Sequence, residues 1–472
     1  MSWPRTIIAL AEFLSLVVAA PSGVASPTGV VSRQTALSAA MGQALLASRA
    51  VIETSEQNVP EAAVGGGEKK KDAEVKGYAL PPETYRQAIE YSRAQYRLYF
   101  LGVLYELVVL LAVLGWRLAP RLRNLAERAS SRRFVQALVF TPLLLLALRV
   151  IELPLEIYGH RLSLDYQQSV ESWGSWSWDW TKGQMIEIVS GVFLVWLLHG
   201  TIRRSPRRWW FHFWLASIPI TVLVVFVAPM VVDPLFYQFE PLAGTEPALV
   251  NEIGKVVERA GMRIPPDRMF EMKASEKLKS VNAYVTGIGA SKRVVVWDTT
   301  ISKMTVPETL SVFGHEMGHY VLGHVPQGIA FFVAVLFVFL YLGSRGLEWT
   351  LGRWGARWEV RGGEDWASLP VLLLLFTLFS FFASPIINGF SRYQEHQADV
   401  YELEVIHGIV PDSQQVTARS LQVLGQVDLA DPSPSPFIKF WLYSHPPLGE
   451  RIAFALHYDP WSKGQQPEFV KQ

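Results

Sequence analysis

The sequence contains no cysteine. This absence excludes disulfides, iron–sulfur clusters and thiol nucleophiles, so any metal site must use His, Asp and Glu. Charged residues are also scarce: they make up 18% of the 472 residues, whereas soluble proteins have about 25%. The charges nearly cancel, with 43 Lys and Arg against 42 Asp and Glu. No basic excess therefore points to nucleic acid as a partner.

Apolar residues make up half of the chain, and the mean hydropathy is +0.20. Six apolar segments of about 17–24 residues are each long enough to cross a membrane as a helix. They cover 98–118, 134–155, 184–200, 209–232, 327–344 and 369–387. Buried helices of a soluble protein would explain one such segment but not six. The sequence therefore predicts a mostly α-helical, multi-pass membrane protein.

The N-terminal region has a different composition from the rest of the chain. Residues 6–24 form a short apolar run after Arg5, which predicts a signal peptide or signal anchor over 1–26. Residues 27–80 carry Pro, Gly and Ser and include the run GGGEKKKDAEVK. This composition predicts a flexible linker.

Arginine is concentrated in three of the loops between the apolar segments. The residues are Arg117, Arg121, Arg123, Arg128, Arg132 and Arg133, then Arg203, Arg204, Arg207 and Arg208, then Arg345, Arg353, Arg357 and Arg361. By the positive-inside rule these loops face the cytoplasm. With membrane helices at 81–232 and 327–390, the polar stretches 233–326 and 391–472 then lie on the other side. This topology suits a bacterial inner-membrane protein whose water-exposed domain is periplasmic.

The water-exposed stretches mix strand and helix patterns. Residues 268–272 and 293–298 predict strands, and 244–261 predict an amphipathic helix. Residues 305–325 predict a helix that begins with a capping box, Thr305 followed three residues later by glutamate. An α+β domain is therefore expected at one membrane face.

The helix at 305–325 contains the sequence HEMGH. His315 and His319 are only about 40° apart around the helix axis, so both imidazoles can reach one Zn²⁺. Glu316, the next residue, can act as general base on the attacking water. Without supporting residues, two helical histidines are more often a polar or core pair than a metal site.

Support comes from the segment 391–405, which also predicts a helix. A catalytic zinc usually has three protein ligands. Glu395 and Asp399 are four residues apart and share a face of this helix. Glu395 is the natural third ligand, and Asp399 can accept a hydrogen bond from a ligand imidazole. The alternative for this pair is a solvated acidic face.

Two other histidines are not expected to bind the metal. His324 is five residues after His319, about 140° away around a continuous helix, so it should point elsewhere. His396 faces about 100° away from Glu395 and is expected on the surface.

Together, the motifs resemble those of a known family. From about residue 78 to 457 the chain resembles the type 1 CAAX prenyl endopeptidases, which are integral-membrane zinc metalloproteases. The matching motifs, in order, are LPLEIY (153–158), DPLFYQFEPL (233–242), SVNAYVTGIGASKRVVVWDTT (280–300), GHEMGHYVLGH (314–324), SRYQEHQAD (391–399) and SHPPLGERI (444–452). Six motifs in the same order are far more specific than HExxH alone.

This resemblance implies a bundle of six to seven membrane helices around a water-filled chamber. A gluzincin-like α+β zinc domain would close one end, built from 233–326 and 391–472. The implied cofactor is one Zn²⁺ per chain. The implied ligands are His315, His319 and Glu395, and the implied catalytic residues are Glu316, Asp399 and His445. Asn282, Ala283 and Tyr284 match the edge strand that pairs with extended substrate.

The function predicted on these grounds is zinc-dependent endopeptidase action on a peptide or protein, lipidated or membrane-bound, within a lipid bilayer. Two alternatives remain: a quality-control metalloprotease for unfolded membrane proteins, and a non-catalytic zinc-binding scaffold or lipid carrier. Charges inside an apolar segment are costly against lipid. Arg149 and Glu152 should therefore either pair with each other or line the chamber.

Overall fold

The computed structural model describes residues 74–287 and 291–471. The predicted signal peptide or anchor at 1–26, and the predicted linker up to residue 73, lie outside these residues. Within them, six helices are long and apolar enough to cross a membrane, which confirms the number of predicted spans. The seventh helix implied by the resemblance is not found among these residues.

The membrane helices are longer than the apolar segments that predicted them. In chain order, the first part of the molecule forms α1 (Pro82–Gly115), α2 (Leu118–Ala129), α3 (Arg133–Asp165), α4 (Trp173–Arg204) and α5 (Trp209–Val231). Of these, α2 is a short amphipathic helix, and the other four are candidate membrane spans. Polar turns lengthen these helices at their ends because backbone hydrogen bonding continues where apolar composition stops.

The last residues of the predicted linker pack against the C-terminal helices. The Val75 backbone N–H donates to Gln415 Oε1 at 3.0 Å. The Tyr78 hydroxyl donates to the Ala430 carbonyl at 3.1 Å. Residues 74–80 therefore belong to the folded part of the chain rather than to a linker.

The water-exposed part combines a small sheet with short helices. The sheet is formed by β1 (Phe239–Pro241), β2 (Met269–Met272), β3 (Ala283–Thr286) and β4 (Arg293–Trp297), in the order β1-β2-β4-β3. The first helices are α6 (Leu242–Thr245), α7 (Pro247–Arg259), α8 (Asp298–Lys303) and α9 (Val306–Val321). They are followed by α10 (His324–Trp354), α11 (Leu369–Ile406), α12 (Ser413–Val427), α13 (Pro436–Leu442) and α14 (Leu448–His457), of which α10 and α11 are candidate spans.

Most of the local predictions for this domain are confirmed. The predicted strands correspond to β2 and β4, which run parallel, and the predicted helices correspond to α7 and α9. Thr305 and Glu308 form the expected capping box at the start of α9. The three-residue strand β1 was not predicted because it is short and ends in proline, so it shows no alternating pattern.

The three arginine-rich loops meet at one end of the helix bundle. Arg123 donates to Asp365 at 2.5 Å, which joins the first loop to the third. The guanidinium of Arg203, in the second loop, lies over the ring of Trp366. The basic side chains of these loops are therefore gathered at one end.

The other end of the bundle contacts the water-exposed domain. Near the start of α4, Asp179 accepts a hydrogen bond from Lys277, and the Val170 backbone N–H donates to the Lys277 carbonyl at 3.0 Å. Helix α4 has 32 residues and so spans about 48 Å. The basic loops and the water-exposed domain thus lie at opposite ends of the membrane helices.

Glycines bring α9 and α11 unusually close together. A Cβ atom on Gly318 would lie 3.0 Å from the Tyr401 Cβ and 3.2 Å from the Ala398 Cα. On Gly314 it would lie 3.1 Å from the Ile406 side chain. Larger residues would overpack this contact. Gly314 directly precedes His315, and Gly318 directly precedes His319. The close approach of the two helices therefore places both histidines next to α11.

Candidate active site

Three predicted ligands converge where α9 meets α11. His315 Nε2 lies 3.1 Å from Glu395 Oε2 and 3.2 Å from His319 Nε2. His319 Nε2 lies 3.6 Å from Glu395 Oε1. All three side chains are buried. Two imidazole nitrogens cannot face each other at this distance unless a proton or a metal ion lies between them.

The spacing of these two imidazole nitrogens and the Glu395 carboxylate oxygens fits a tetrahedral metal. Zinc bonds of about 2.0–2.1 Å in tetrahedral geometry place ligand atoms about 3.3–3.4 Å apart. The distances of 3.1, 3.2 and 3.6 Å between these atoms bracket that value. Two imidazoles and one carboxylate are also a donor set that zinc accepts. The residues therefore fit a catalytic zinc site.

A second group of possible metal ligands shares His315. It consists of His315, Asp399 and Glu402. Asp399 Oδ1 lies 3.0 Å from His315 Nδ1, and Glu402 Oε2 lies 3.7 Å from it. Arg451 Nη2 lies 2.6 Å from Asp399 Oδ1 and 3.2 Å from His315 Nδ1. The guanidinium already supplies the positive charge on this side, so only the first group needs a metal.

Arg451 fixes the position of Asp399. Its Nε and Nη2 atoms both donate to the carboxylate, at 3.0 Å and 2.6 Å for the shortest contacts, and both side chains are buried. With its Nε2 directed at the three-ligand group, His315 carries its proton on Nδ1 and donates it to Asp399. The Arg451–Asp399 pair thus holds the His315 ring in one orientation.

Glu316 lies beside the three-ligand group and lacks a partner. Its side chain is 3% exposed, and its Oε2 atom has no hydrogen-bond partner among residues 74–287 and 291–471. Burial raises the pKa of Glu316 to about 8. An unpartnered buried carboxylate oxygen is rare in proteins and matches a position that a water or substrate would fill.

His445 reaches the same centre from the loop between α13 and α14. Its Nε2 atom lies 3.1 Å from Glu395 Oε2, and its Nδ1 atom lies 3.0 Å from Ser444 Oγ. The side chain is 12% exposed. His445 is therefore close enough to contact a group bound at the metal position.

The expectation that His324 points away from the centre is wrong. Its Nδ1 atom lies 2.9 Å from His319 Nδ1, and the side chain is fully buried. The helical-wheel argument assumed one continuous helix. Instead α9 ends at Val321, and Gly323 adopts φ +71 before α10 begins at His324. His324 contacts the outer nitrogen of His319, so it stays outside the three-ligand group.

Glu402 joins three helices behind His315. Its Oε1 atom accepts hydrogen bonds from Ser311 on α9 and, at 3.0 Å, from Thr417 on α12. Ser420 Oγ lies 3.0 Å from Ser311 Oγ. This hydroxyl-rich contact ties α9 to α11 and α12.

The three predicted substrate-binding residues lie in different environments. Asn282 lines the cleft beside His315 and Glu316. Ala283 packs in the apolar core under α9, whereas the Tyr284 hydroxyl contacts Asp233 at 3.4 Å on the opposite face of the sheet. Ala283 and Tyr284 begin β3, an edge strand that pairs with β4, and Asn282 directly precedes it. Side chains of this strand therefore do not all face the metal position.

The cleft continues past the metal position towards α12 and α14. His445 and Arg451 line its inner part beside Glu316. The rest of the wall also includes Glu402, Ser420 and Asp428, and its apolar part is formed by Val281, Val312, Leu421, Leu424, Pro446 and Leu448. A chain lying along β3 would therefore direct side chains into a largely aliphatic space.

Comparisons with known proteins agree with this geometry. The profile described as peptidase family M48 matches residues 244–459, and the profile described as CAAX prenyl protease N-terminal, five membrane helices, matches residues 68–238. The metalloprotease YhfN of Bacillus subtilis is 33% identical over 387 residues, covering 81% of this chain and 89% of YhfN. The chain belongs to peptidase family M48.

Two further relatives cover most of this M48 chain. CAAX prenyl protease 1 of Saccharomyces cerevisiae is 25% identical over 409 residues, covering 80% of this chain and 87% of the yeast protein. The crystal structure of S. mikatae Ste24p matches with a TM-score of 0.68 at 24% identity, covering 80% of this chain and 89% of that one. The latter similarity concerns the fold. Family membership makes this chain a membrane metalloendopeptidase.

Sequence reasoning missed two residues of the centre, Arg451 and Glu402. Glu402 is seven residues after Glu395 and three after Asp399, so a helical wheel places it near their face. Arg451 is the second-last residue of the matched motif SHPPLGERI, but the motif gave no sign that its side chain is buried against Asp399. That contact is long-range and became visible only in the structure.

Proposed function

We propose that this M48 protein is a zinc-dependent endopeptidase of the CAAX prenyl protease type, with His315, His319 and Glu395 as the zinc ligands. The observation that carries the proposal is the convergence of these three donors at 3.1–3.6 Å beside a buried, unpartnered Glu316. A scaffold or lipid carrier has no need of a general base at this position.

Zinc bound by these residues would supply Lewis-acid polarisation of the scissile carbonyl and would acidify the attacking water. The remaining steps belong to the side chains. Glu316 accepts the proton of the water on its carboxylate and later delivers it to the leaving amine nitrogen. Burial makes this carboxylate a stronger base, which favours holding that proton between the two steps.

His445 and the Arg451–Asp399 pair have supporting roles in this proposal. His445 donates a hydrogen bond from Nε2 to the oxygen of the polarised carbonyl as negative charge develops there. Asp399 accepts the Nδ1 proton of His315, and Arg451 keeps that carboxylate in place. The ligand ring then keeps its orientation through the reaction.

The substrate is proposed to bind as an extended peptide along β3, with Asn282, Ala283 and Tyr284 forming the pairing segment. Edge strands present unpaired backbone groups that can add one more strand. The aliphatic wall of the cleft supports apolar side chains near the scissile bond. The proposed substrate is a peptide or protein held at the membrane.

The proposed location is a bacterial inner membrane, with the zinc domain on the periplasmic side. The support is the arrangement of the loops: the arginine-rich loops meet at one end of the bundle, and the water-exposed domain contacts the other end. Cytoplasmic loops carry an excess of Lys and Arg.

The test compares the purified full chain with its Glu316→Gln variant in detergent with zinc. Both are incubated with a farnesylated CAAX peptide and with its unlipidated twin, and products are read by mass spectrometry. The matched control is Glu258→Gln, an exposed glutamate on α7. We expect cleavage of the farnesylated peptide, loss of about 10²–10⁴-fold in rate for Glu316→Gln with zinc retained, and no change for the control.

Other results would change the proposal. Equal cleavage of both peptides would favour a quality-control protease, whose substrates carry no lipid. Zinc binding without cleavage of either peptide would favour the scaffold. Wild-type rates in Glu316→Gln would refute the assignment of the general base.

A further inference from the structure

The basic end of the membrane bundle contains two arginines joined through a glutamine and a tryptophan. Arg133 begins α3, and its Nη1 atom donates to Gln136 Oε1 at 3.0 Å. Trp366 Nε1 donates to the same oxygen at 3.0 Å. The guanidinium carbon of Arg203, in the last turn of α4, lies 5.4 Å from the centre of the Trp366 ring. These four residues are called the arginine cluster below.

The arginine cluster has no negative partner within the described residues. Among the described residues, no carboxylate oxygen lies within 4.0 Å of the guanidinium of Arg133 or Arg203. The nearby Asp365 is paired with Arg123. The Nη1 atom of Arg203 is buried and has no hydrogen-bond partner. The charge of Arg133 also acts unfavourably on Arg203. Two like charges and an unused buried donor therefore call for an anion.

The cluster lies beside a lipid-facing aromatic pair. The rings of Phe134 and Trp196 meet edge to face, with centroids 5.8 Å apart. These side chains are 49% and 37% exposed on candidate membrane spans. Trp196 is seven residues before Arg203 and so lies on the same face of α4. An anion at the cluster would therefore sit at the edge of the apolar surface.

The surroundings of the cluster favour an anionic lipid over a neutral one. Arg204, at the end of α4, and Arg207 and Arg208, in the loop between α4 and α5, are all exposed. Such basic segments at a membrane surface attract anionic headgroups. The planar guanidinium also matches phosphate oxygens with two parallel hydrogen bonds.

We propose that the arginine cluster binds the phosphate group of an anionic phospholipid, whose acyl chains lie along Phe134 and Trp196. The guanidinium groups of Arg203 and Arg133 donate to the phosphate oxygens, and Trp366 holds the Arg203 guanidinium in place. A free phosphate ion would use the same donors but would gain nothing from the aromatic pair. The lipid is therefore the better occupant.

The test uses the purified, delipidated full chain and native mass spectrometry with added phosphatidylglycerol or phosphatidylcholine. The variant is Arg133→Gln/Arg203→Gln. The matched control is Arg207→Gln/Arg208→Gln, which removes the same charge from exposed positions of the adjacent loop. We expect one tightly bound phosphatidylglycerol per chain, binding weakened about tenfold in the first variant, and a much smaller change in the control.

Several results would overturn the proposal. Equal weakening in both double variants would mean unspecific attraction to the basic face, and equal binding of phosphatidylcholine would remove the need for a net negative headgroup. Displacement of the lipid by millimolar inorganic phosphate would assign the cluster to a free anion. If the double variant fails to fold, Arg203→Lys replaces it: weaker binding supports a forked contact with the phosphate, and unchanged binding contradicts it.

Discussion

His315 lies between two groups of side chains that are similar in composition and different in charge balance. On its Nε2 side are His319 and Glu395, and in the described part of the chain no lysine or arginine lies within 4.0 Å of Glu395. On its Nδ1 side is Asp399, which is bonded to the buried Arg451. The chain supplies a cation on one side of the ring and lacks one on the other.

The membrane half contains a third cluster, in which an arginine also pairs with buried carboxylates, as on the Nδ1 side of His315. Arg149 contacts Glu152 at 2.7 Å, Glu156 at 3.3 Å and Glu187 at 3.4 Å, and all are buried. The pairing that the sequence left open for Arg149 and Glu152 is therefore present. In both of these clusters an arginine of the protein already pairs with the buried carboxylates, so neither cluster requires a metal to balance its charge.

Removal of a ligand on the Nε2 side should have the largest effect. Glu395→Gln takes the negative charge from the three-ligand group while keeping its shape. We expect the zinc affinity to fall by more than the 10–100-fold typical of residues that only support a ligand, and peptide hydrolysis to be lost. Zinc content by elemental analysis and peptide cleavage measure both. Retention of one zinc per chain in this variant would remove Glu395 from the ligand set.

Removal of the cation on the Nδ1 side should mainly affect stability. Arg451→Leu leaves the buried Asp399 with only the His315 N–H as a partner and without its balancing cation, and the loss of such a cation costs about 3–5 kcal/mol. The zinc affinity should fall about 10–100-fold because the His315 ring loses its anchor. Denaturation in detergent and a zinc titration measure these effects.

The control for this substitution is Lys439→Ala, which breaks the exposed pair with Glu450 and should cost at most about 1 kcal/mol. The double variant Arg451→Leu/Asp399→Leu should recover part of the lost stability, since both charges are then absent. If the double variant is less stable than Arg451→Leu, the unpaired carboxylate is not the cause of the loss.

The contact that brings the two sides together depends on Gly318. Gly318→Ala places a methyl group 3.0 Å from the Tyr401 Cβ, and overpacking of this kind costs about 1–3 kcal/mol. Gly254→Ala is the matched control, because a Cβ there has no atom within 4 Å. That helical substitution should stabilise by about 0.4–1 kcal/mol. We expect the free energy of unfolding to fall for Gly318→Ala and to rise for Gly254→Ala. Changes of the same sign would argue against a tight α9–α11 contact.

The smallest effect is expected for Glu402→Gln. Glu402 accepts hydrogen bonds from Ser311 and Thr417, and its other oxygen is 3.7 Å from His315 Nδ1. An amide oxygen can keep the contacts with the hydroxyl groups. We expect one zinc per chain and activity within about tenfold of wild type. Loss of the metal would show that the Nδ1 side contributes a ligand.

Parts of the centre were predictable because they depend on one helix at a time. The spacing of His315 and His319, and the shared face of Glu395 and Asp399, follow from the helical repeat alone. The sequence could not show that Arg451 lies against Asp399, since the two are 52 residues apart. His324 was misjudged because the break at Gly323 redirects the chain.

The large-scale architecture was predictable for a different reason. Six apolar segments of sufficient length can be accommodated only as membrane spans, and strand β4 carries a run of three valines followed by a tryptophan. The sequence pattern did not show that two glycines allow α9 and α11 to pack closely. Gly314 and Gly318 are important because of what lies opposite them on α11.

The most direct test of this account is to locate the metal by anomalous X-ray diffraction at the zinc edge, using crystals of the full chain. The account predicts a single peak about 2.0–2.1 Å from the Nε2 atoms of His315 and His319, bounded on its third side by Glu395. A peak on the Nδ1 side of His315, among Asp399, Glu402 and Arg451, would contradict it, as would two peaks of equal height on either side of the ring.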